Sequence, residues 1–177
     1  MNTIKKYPKP MIALHWLTVI LLVIVFIKGK SFENIEFNEA NMNHYRFHAL
    51  LGMLIAILTV IRLFVKKKYK NSLPAEITYY GDTHKMMVKT VIKLIYAFLI
   101  ITPLIGFIMI FQTGAMTVDF GGPFPTGVHF NETLEVLHKA SIFILVTSVI
   151  AHIAGVIIYK LKTGENLVKR MCMLIKP

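Results

Sequence analysis

The chain carries one cysteine, Cys172, in 177 residues. A single thiol excludes an internal disulfide, and it also excludes the Cys-x-x-Cys-His attachment of a covalently bound haem. Acids are scarce, with 9 Asp and Glu against 20 Lys and Arg. Charge of either sign is nearly absent from residues 11–27, 49–65, 94–111 and 140–159, where Arg62 is the one interruption. These runs lack the polar and apolar alternation of a membrane barrel. No small-residue cleavage site follows the first run, which leaves through Lys28-Gly29-Lys30-Ser31-Phe32, so it reads as a retained helix and not a signal peptide. Internal repeats and low-complexity tracts are missing as well.

What is present is apolar: hydrophobic residues make up 55% of the chain, too many for a soluble domain of this size. Each run, with its flanking turns, meets the roughly 17–25 residues that a spanning helix needs. The expected fold is an all-α membrane protein: one four-transmembrane-helix bundle over residues 1–177, with spans near 10–29, 44–65, 85–111 and 132–161. The basic residues sort by side. If the N-terminus, the loop between the second and third runs and the C-terminus share a side, the other side keeps only Lys28, Lys30, Arg46 and Lys139. That side holds Glu33, Glu36, Glu39, Asp119, Glu132 and Glu135. The positive-inside rule then places both termini in the cytoplasm. The basic excess reports topology and contact with anionic membrane lipid, with no nucleic acid implied.

Punctuation along the chain agrees. Pro8 and Pro10 suit a first helical turn, and Asn41 or Asn43 suits the cap of the second helix. Asp82 or Thr83 suits the start of the third. Residues 113–130, rich in glycine and proline, predict an irregular lid over the outer mouth. Asn131 followed by Glu132 and Glu135 predicts the start of the fourth helix, and Gly164 its end. Beyond it, Leu167, Val168, Met171, Cys172, Leu174 and Ile175 recur opposite Lys169, Arg170 and Lys176, as in a short C-terminal interfacial helix.

Of seven histidines, His15, His48, His138 and His152 lie in or at the ends of the apolar runs. An imidazole at membrane depth is costly unless it is paired, lines a cavity or binds a cofactor. His138 and His152 are 14 residues apart, hence about 21 Å along the fourth helix and some 40° around it. The charge topology puts His15 level with His152 on the cytoplasmic side and His48 level with His138 outside. Two imidazoles at one depth on different helices are what a six-coordinate b-type haem requires. Four such histidines, matched in pairs, point to two haem b groups held non-covalently by bis-histidine ligation, whereas any one alone reads equally as an interhelical hydrogen bond.

Haem propionates need cationic partners. Arg62 lies about 21 Å below His48 on nearly the same face, where it could bind an inner propionate bidentately or snorkel to the interface. Arg46 and Lys139 flank the outer pair as propionate partners or as an anion-attracting patch. Trp16 suits a porphyrin edge or an interfacial belt. His44, His129 and His84 read as solvated. Pro103 and Gly106 predict a kink and a close backbone approach to a neighbour or a flat cofactor. The ten methionines are too scattered for a copper site.

At these residues the chain resembles the bacterial cytochrome b561 family. The matching pieces are Leu14-His15-Trp16, His48 with Leu51-Gly52, Arg62-Leu63, Tyr96 with Pro103-Leu104-Ile105-Gly106, Leu137-His138, His152 and Leu167-Val168-Lys169-Arg170-Met171, in order over nearly the whole chain. The resemblance implies a dihaem electron carrier of the bacterial inner membrane. Among stand-alone members it implies oxidation of superoxide outside and reduction of ubiquinone as substrate within, with Arg46, Lys139, Lys28 and Lys30 attracting the anion. The chain departs from many relatives in having Ile92 and Tyr159 where they have histidine; a Tyr159 hydroxyl can still bond a quinone carbonyl. The alternatives are an electron-transfer subunit serving a periplasmic redox partner or dehydrogenase, and a non-redox adaptor in which the histidines only join helices.

Overall fold

The computed structural model describes residues 5–77, 79–115, 122–125, 127 and 129–172. Four helices, α1 (Lys9–Ser31), α2 (Met42–Lys68), α3 (Asp82–Gln112) and α4 (Glu132–Thr163), are each long and apolar enough to cross a membrane. They match the four expected spans and overrun most of their ends by one to three residues, because the charged flanks stay helical beyond the apolar stretch. Pro10 sits in the first turn of α1, where a missing N–H costs nothing. Asn131 Oδ1 accepts from the Leu134 N–H at 3.2 Å, and Gly164 closes α4 with a φ of 73°, as expected of both.

Asn41 stands at the N-cap of α2 as expected but makes no side-chain cap bond, and the cap of α3 differs from expectation. Asn38 Oδ1 takes the Asn41 N–H at 3.0 Å and so caps a 3-10 turn, Glu39–Asn41, that feeds into α2. Asn41 turns its own amide to the Glu36 carbonyl instead. At α3 the cap position belongs to Gly81, at φ 88°, and Asp82 becomes the first helical residue. Its charge still favours the N-terminal dipole.

The bundle is sequential: α1 packs on α2, α2 on α3 and α3 on α4. Among the described residues, neither α1 with α4 nor α2 with α4 is a closely packed pair. Those are the helix pairs that carry the matched histidines. Midway along the bundle Ile55, Leu99 and Leu145 are buried together, with Leu21, Leu22, Val25, Ile95, Phe98 and Val149 against them. Leu145 is seven residues from both His138 and His152, or about 10 Å from each along the axis. A dry layer therefore separates the two histidine levels. Three buried hydroxyls within the spans are satisfied by their own helices, as the bilayer favours: Thr18 bonds the Leu14 carbonyl, Thr59 that of Ile55 and Ser148 that of Ile144, whereas the buried Thr102 hydroxyl has no hydrogen-bond partner among the described residues.

The outer end closes over an aromatic cluster. Phe32 stacks on Tyr45 at 4.3 Å between ring centres, and Phe37 touches Tyr45, Phe124 and Phe130. Of the expected lid, residues 116–121, 126 and 128 lie outside the described residues, as do 173–177 of the C-terminal segment. Residues Leu167–Met171 form a 3-10 turn in place of the start of an amphipathic α-helix. Asn166 caps that turn through the Val168 N–H, and the turn's backbone is tied to the N-terminal segment and to α1: the Tyr7 N–H donates to the Arg170 carbonyl at 3.0 Å and the Trp16 indole to the Met171 carbonyl at 2.8 Å.

Candidate functional site

His48 on α2 and His138 on α4 face each other across the outer end, with ring centres 6.5 Å apart and planes at 75°. Two metal–imidazole bonds of about 2.0–2.1 Å, plus roughly 1.1 Å from each donor nitrogen to its ring centre, span about 6.3 Å. The separation therefore fits one metal between the rings, and it is too wide for a direct hydrogen bond. His138 Nδ1 lies 3.1 Å from the Thr102 carbonyl. Donation to that oxygen fixes the proton on Nδ1 and leaves Nε2 as the free donor. Phe32 covers His48 edge-on at 5.2 Å. His48 Nδ1 is buried without a hydrogen-bond partner among the described residues, although the Val25 carbonyl lies beside its ring.

At the other end His15 on α1 and His152 on α4 come within electrostatic reach of each other and of Arg62. His15 Nδ1 and Arg62 Nε are both buried without a hydrogen-bond partner among the described residues. A guanidinium nitrogen left unbonded at membrane depth is costly, and an anionic group between α1 and α4 would satisfy it. The Arg62 guanidinium rests over the Tyr96 ring at 5.5 Å. Trp16 meets His15 edge-on at 5.3 Å, while its indole N–H serves the C-terminal turn.

Below this pair lies a polar floor. Glu165 accepts from Arg170 Nη2 at 2.6 Å and Nε at 3.0 Å, and from the Tyr159 hydroxyl at 3.2 Å. Arg170 also donates to the Ala75 carbonyl at 2.9 Å. Tyr159 is buried in α4, with its hydroxyl on Glu165. Burial raises Tyr7 above the ordinary phenol value, with Arg170 opposing, so Tyr7 stays a neutral neighbour.

The other residues singled out in the sequence are placed as follows. Arg46 is half-buried and donates to Asn43 at 3.3 Å. Lys139 is exposed and paired with Glu135 at 2.5 Å. His84 accepts the Tyr80 N–H at 3.2 Å, capping a loop, and His44 and His129 are exposed. Among the described residues no three of His, Cys, Asp and Glu converge. The donors come in twos, the number a macrocycle with four in-plane nitrogens leaves for the protein to supply.

The family model for prokaryotic cytochrome b561 matches residues 6–173. The chain belongs to the prokaryotic cytochrome b561 family. No curated relative matches it. As a member of the cytochrome b561 family it is a multi-pass bacterial membrane protein of haem-dependent electron transfer, with b-type haem as its cofactor. Its residues fit that cofactor on three independent observations: the 6.5 Å spacing of the outer rings, the orphaned nitrogens at the inner pair, and helix pairs that face each other without packing.

Sequence reasoning missed Gly29, the Thr102 carbonyl, Phe32 and Glu165. Pro103 and Gly106 had signalled a close approach. The structure supplies its partners, Gly52 for Pro103 and the His138 ring for Gly106. The other four carry no motif and are found through tertiary contact alone.

Proposed function

We propose that this cytochrome b561 carries two haem b groups in the bacterial inner membrane and moves electrons inward, from superoxide outside to ubiquinone at the cytoplasmic side. His48 and His138 would hold the outer haem, and His15 and His152 the inner one. The observation that carries the reading is the 6.5 Å separation of the outer rings. Haem held in this way would supply reversible one-electron exchange. The net reaction balances with two superoxide anions giving two dioxygen molecules, while one quinone takes two electrons and two protons to become quinol.

The chain's own residues orient and attract, and none acts as an acid or base. Arg46, Lys28 and Lys30 raise the local concentration of a small anion at the outer mouth. Lys139 contributes less, because Glu135 offsets its charge. Arg62 binds an inner propionate through the nitrogen that lacks a partner. Trp16 holds the floor against His15, and Tyr159 reaches a quinone carbonyl on giving up its bond to Glu165.

Reduced-minus-oxidised spectra and haem analysis of the purified protein are expected to give two low-spin haems per chain. Protein that purifies folded and without haem overturns the reading. Rapid mixing with superoxide is expected to reduce the haems near the diffusion limit, with a rate that falls as salt rises. If superoxide leaves them oxidised while a periplasmic redox protein reduces them, the chain is an electron-transfer subunit for that partner instead.

A further inference from the structure

Two glycines stand against the two outer histidines in the same way. A methyl group built on Gly29 of α1 would come 3.0 Å from His48 Cε1, 3.6 Å from Nδ1 and 4.0 Å from Nε2. One built on Gly106 of α3 would come 3.0 Å from His138 Cε1, 3.5 Å from Nδ1 and 3.7 Å from Nε2. The order of atoms is identical, so each ring lies with its Cε1 corner in the notch of a glycine, Nδ1 next and Nε2 third. The backbone repeats too. The Thr102 carbonyl, four residues before Gly106, receives His138 Nδ1, and the Val25 carbonyl, four residues before Gly29, lies beside the His48 ring.

The neighbouring glycines lack this relation. Gly155, one turn beyond His152, has nothing within 4 Å of its would-be methyl, and Gly52 meets Pro103 at 3.5 Å, an ordinary contact. Among the described glycines, notches that hold an imidazole therefore occur at Gly29 and Gly106, against the outer pair, and they come from the two helices, α1 and α3, that supply no outer ligand.

We propose that Gly29 and Gly106 are positioning residues which hold His48 and His138 at two-sided ligation distance and thereby keep the outer iron closed to dioxygen and other small ligands. The physical reason is the tolerance of an axial bond. A functional shell must hold its donors within about 0.5 Å and 10–20° of the productive geometry. A methyl group at 3.0 Å from a ring carbon forces that ring to give by a few tenths of an ångström, and at Gly106 the ring is the one whose Nδ1 bonds the Thr102 carbonyl. A ring so displaced releases the iron on one side. An open axial position on a reduced haem takes up carbon monoxide or dioxygen, whereas a bis-histidine haem takes up neither. An electron carrier that meets oxygen at the outer surface needs that position filled.

The inference rests on the two-haem reading, and the test separates them. The probe is carbon monoxide added to the dithionite-reduced, full-length protein, followed by absorption and by the low-spin signals in electron paramagnetic resonance. The unaltered protein is expected to show two low-spin haems and no carbon monoxide complex; lack of haem there sinks the underlying reading and not this one. Gly106→Ala and Gly29→Ala are each expected to bind carbon monoxide at one haem, to lose or shift one low-spin signal, and to hold the outer haem about 10–100-fold less tightly. Gly155→Ala is expected to match the unaltered protein. The inner signal serves as the internal measure of folding. Two alanine variants that keep both low-spin signals and refuse carbon monoxide overturn the proposal, as does loss of both haems together in both variants.

Discussion

The two ends of this bundle present the same pair of donors in opposite surroundings. At the outer end two rings are fixed by backbone: glycine notches, a carbonyl on His138, and an aromatic cover of Phe32, Tyr45, Phe37 and Phe130. At the inner end the fixing groups are side chains with charge. Arg62 addresses both histidines, and the floor below is an Arg170–Glu165–Tyr159 network tied to α1 by Trp16 and to the N-terminal segment by Tyr7. Under the proposed reading, a pair of histidines alone does not set what a site does. Backbone seats confer rigidity, and a buried cation confers a potential. The proposed inward flow of electrons is favoured by that arrangement, because a cation beside the inner pair stabilises the extra negative charge of reduction.

The comparison breaks most completely if the two sites are not separate. Replacing His138 or His48 with alanine is expected to remove the outer haem and leave the inner one, halving the haem content, while His15→Ala or His152→Ala does the reverse. Haem-to-protein ratios by pyridine haemochrome measure this. Loss of both haems from a variant that keeps its helical circular dichroism would join the two levels into one site and dissolve the contrast.

A second test concerns charge. Arg62→Gln is expected to lower the midpoint potential of one haem by roughly 60–120 mV, from ~1.4–2.8 kcal/mol for a charged hydrogen bond at 59 mV per tenfold step. The potential of the other haem is expected to stay where it is, about 21 Å away across the apolar layer. Potentiometric titration reads both together. Equal shifts at both haems would mean that Arg62 acts on the fold as a whole and not on the inner pair.

The helices, their order and the pairing of His48 with His138 were legible in the chain because a bilayer leaves little choice: apolar length sets the spans, and helical rise sets the depth of each residue along them. Asn131 and Gly164 acted as read for the same local reason. What escaped was decided by contact between distant segments. Nothing near Gly29 in sequence announces His48, which enters from another helix. Glu165 looks like a solvated acid until Arg170 and Tyr159 fold onto it. The C-terminal turn is the clearest case. Its apolar spacing suits an α-helix, but the carbonyls of Arg170 and Met171 are taken by Tyr7 and Trp16, and the segment holds as a 3-10 turn.

The smallest expected effect sharpens the inner half alone. Glu165 bridges three segments: its side chain is 35% exposed, and the Arg170 side chain that it holds is 16% exposed. Glu165→Gln keeps the shape and one acceptor oxygen but removes the charge, so Arg170 Nε and Nη2 share a neutral partner while Nη1 keeps the Ala75 carbonyl. Solvent screening at the exposed side of the pair holds the loss to about 1 kcal/mol. The amides of Leu167–Met171 are then expected to exchange roughly fivefold faster with deuterium, with Trp16 fluorescence shifting as its indole loses the Met171 carbonyl. The outer haem spectrum should not change, since its seats are built from α1 and α3 backbone at the far end of the bundle. A change there of the same size as at the inner haem would mean that the floor and the aromatic cover are mechanically coupled through α4, the helix that carries a histidine of both pairs.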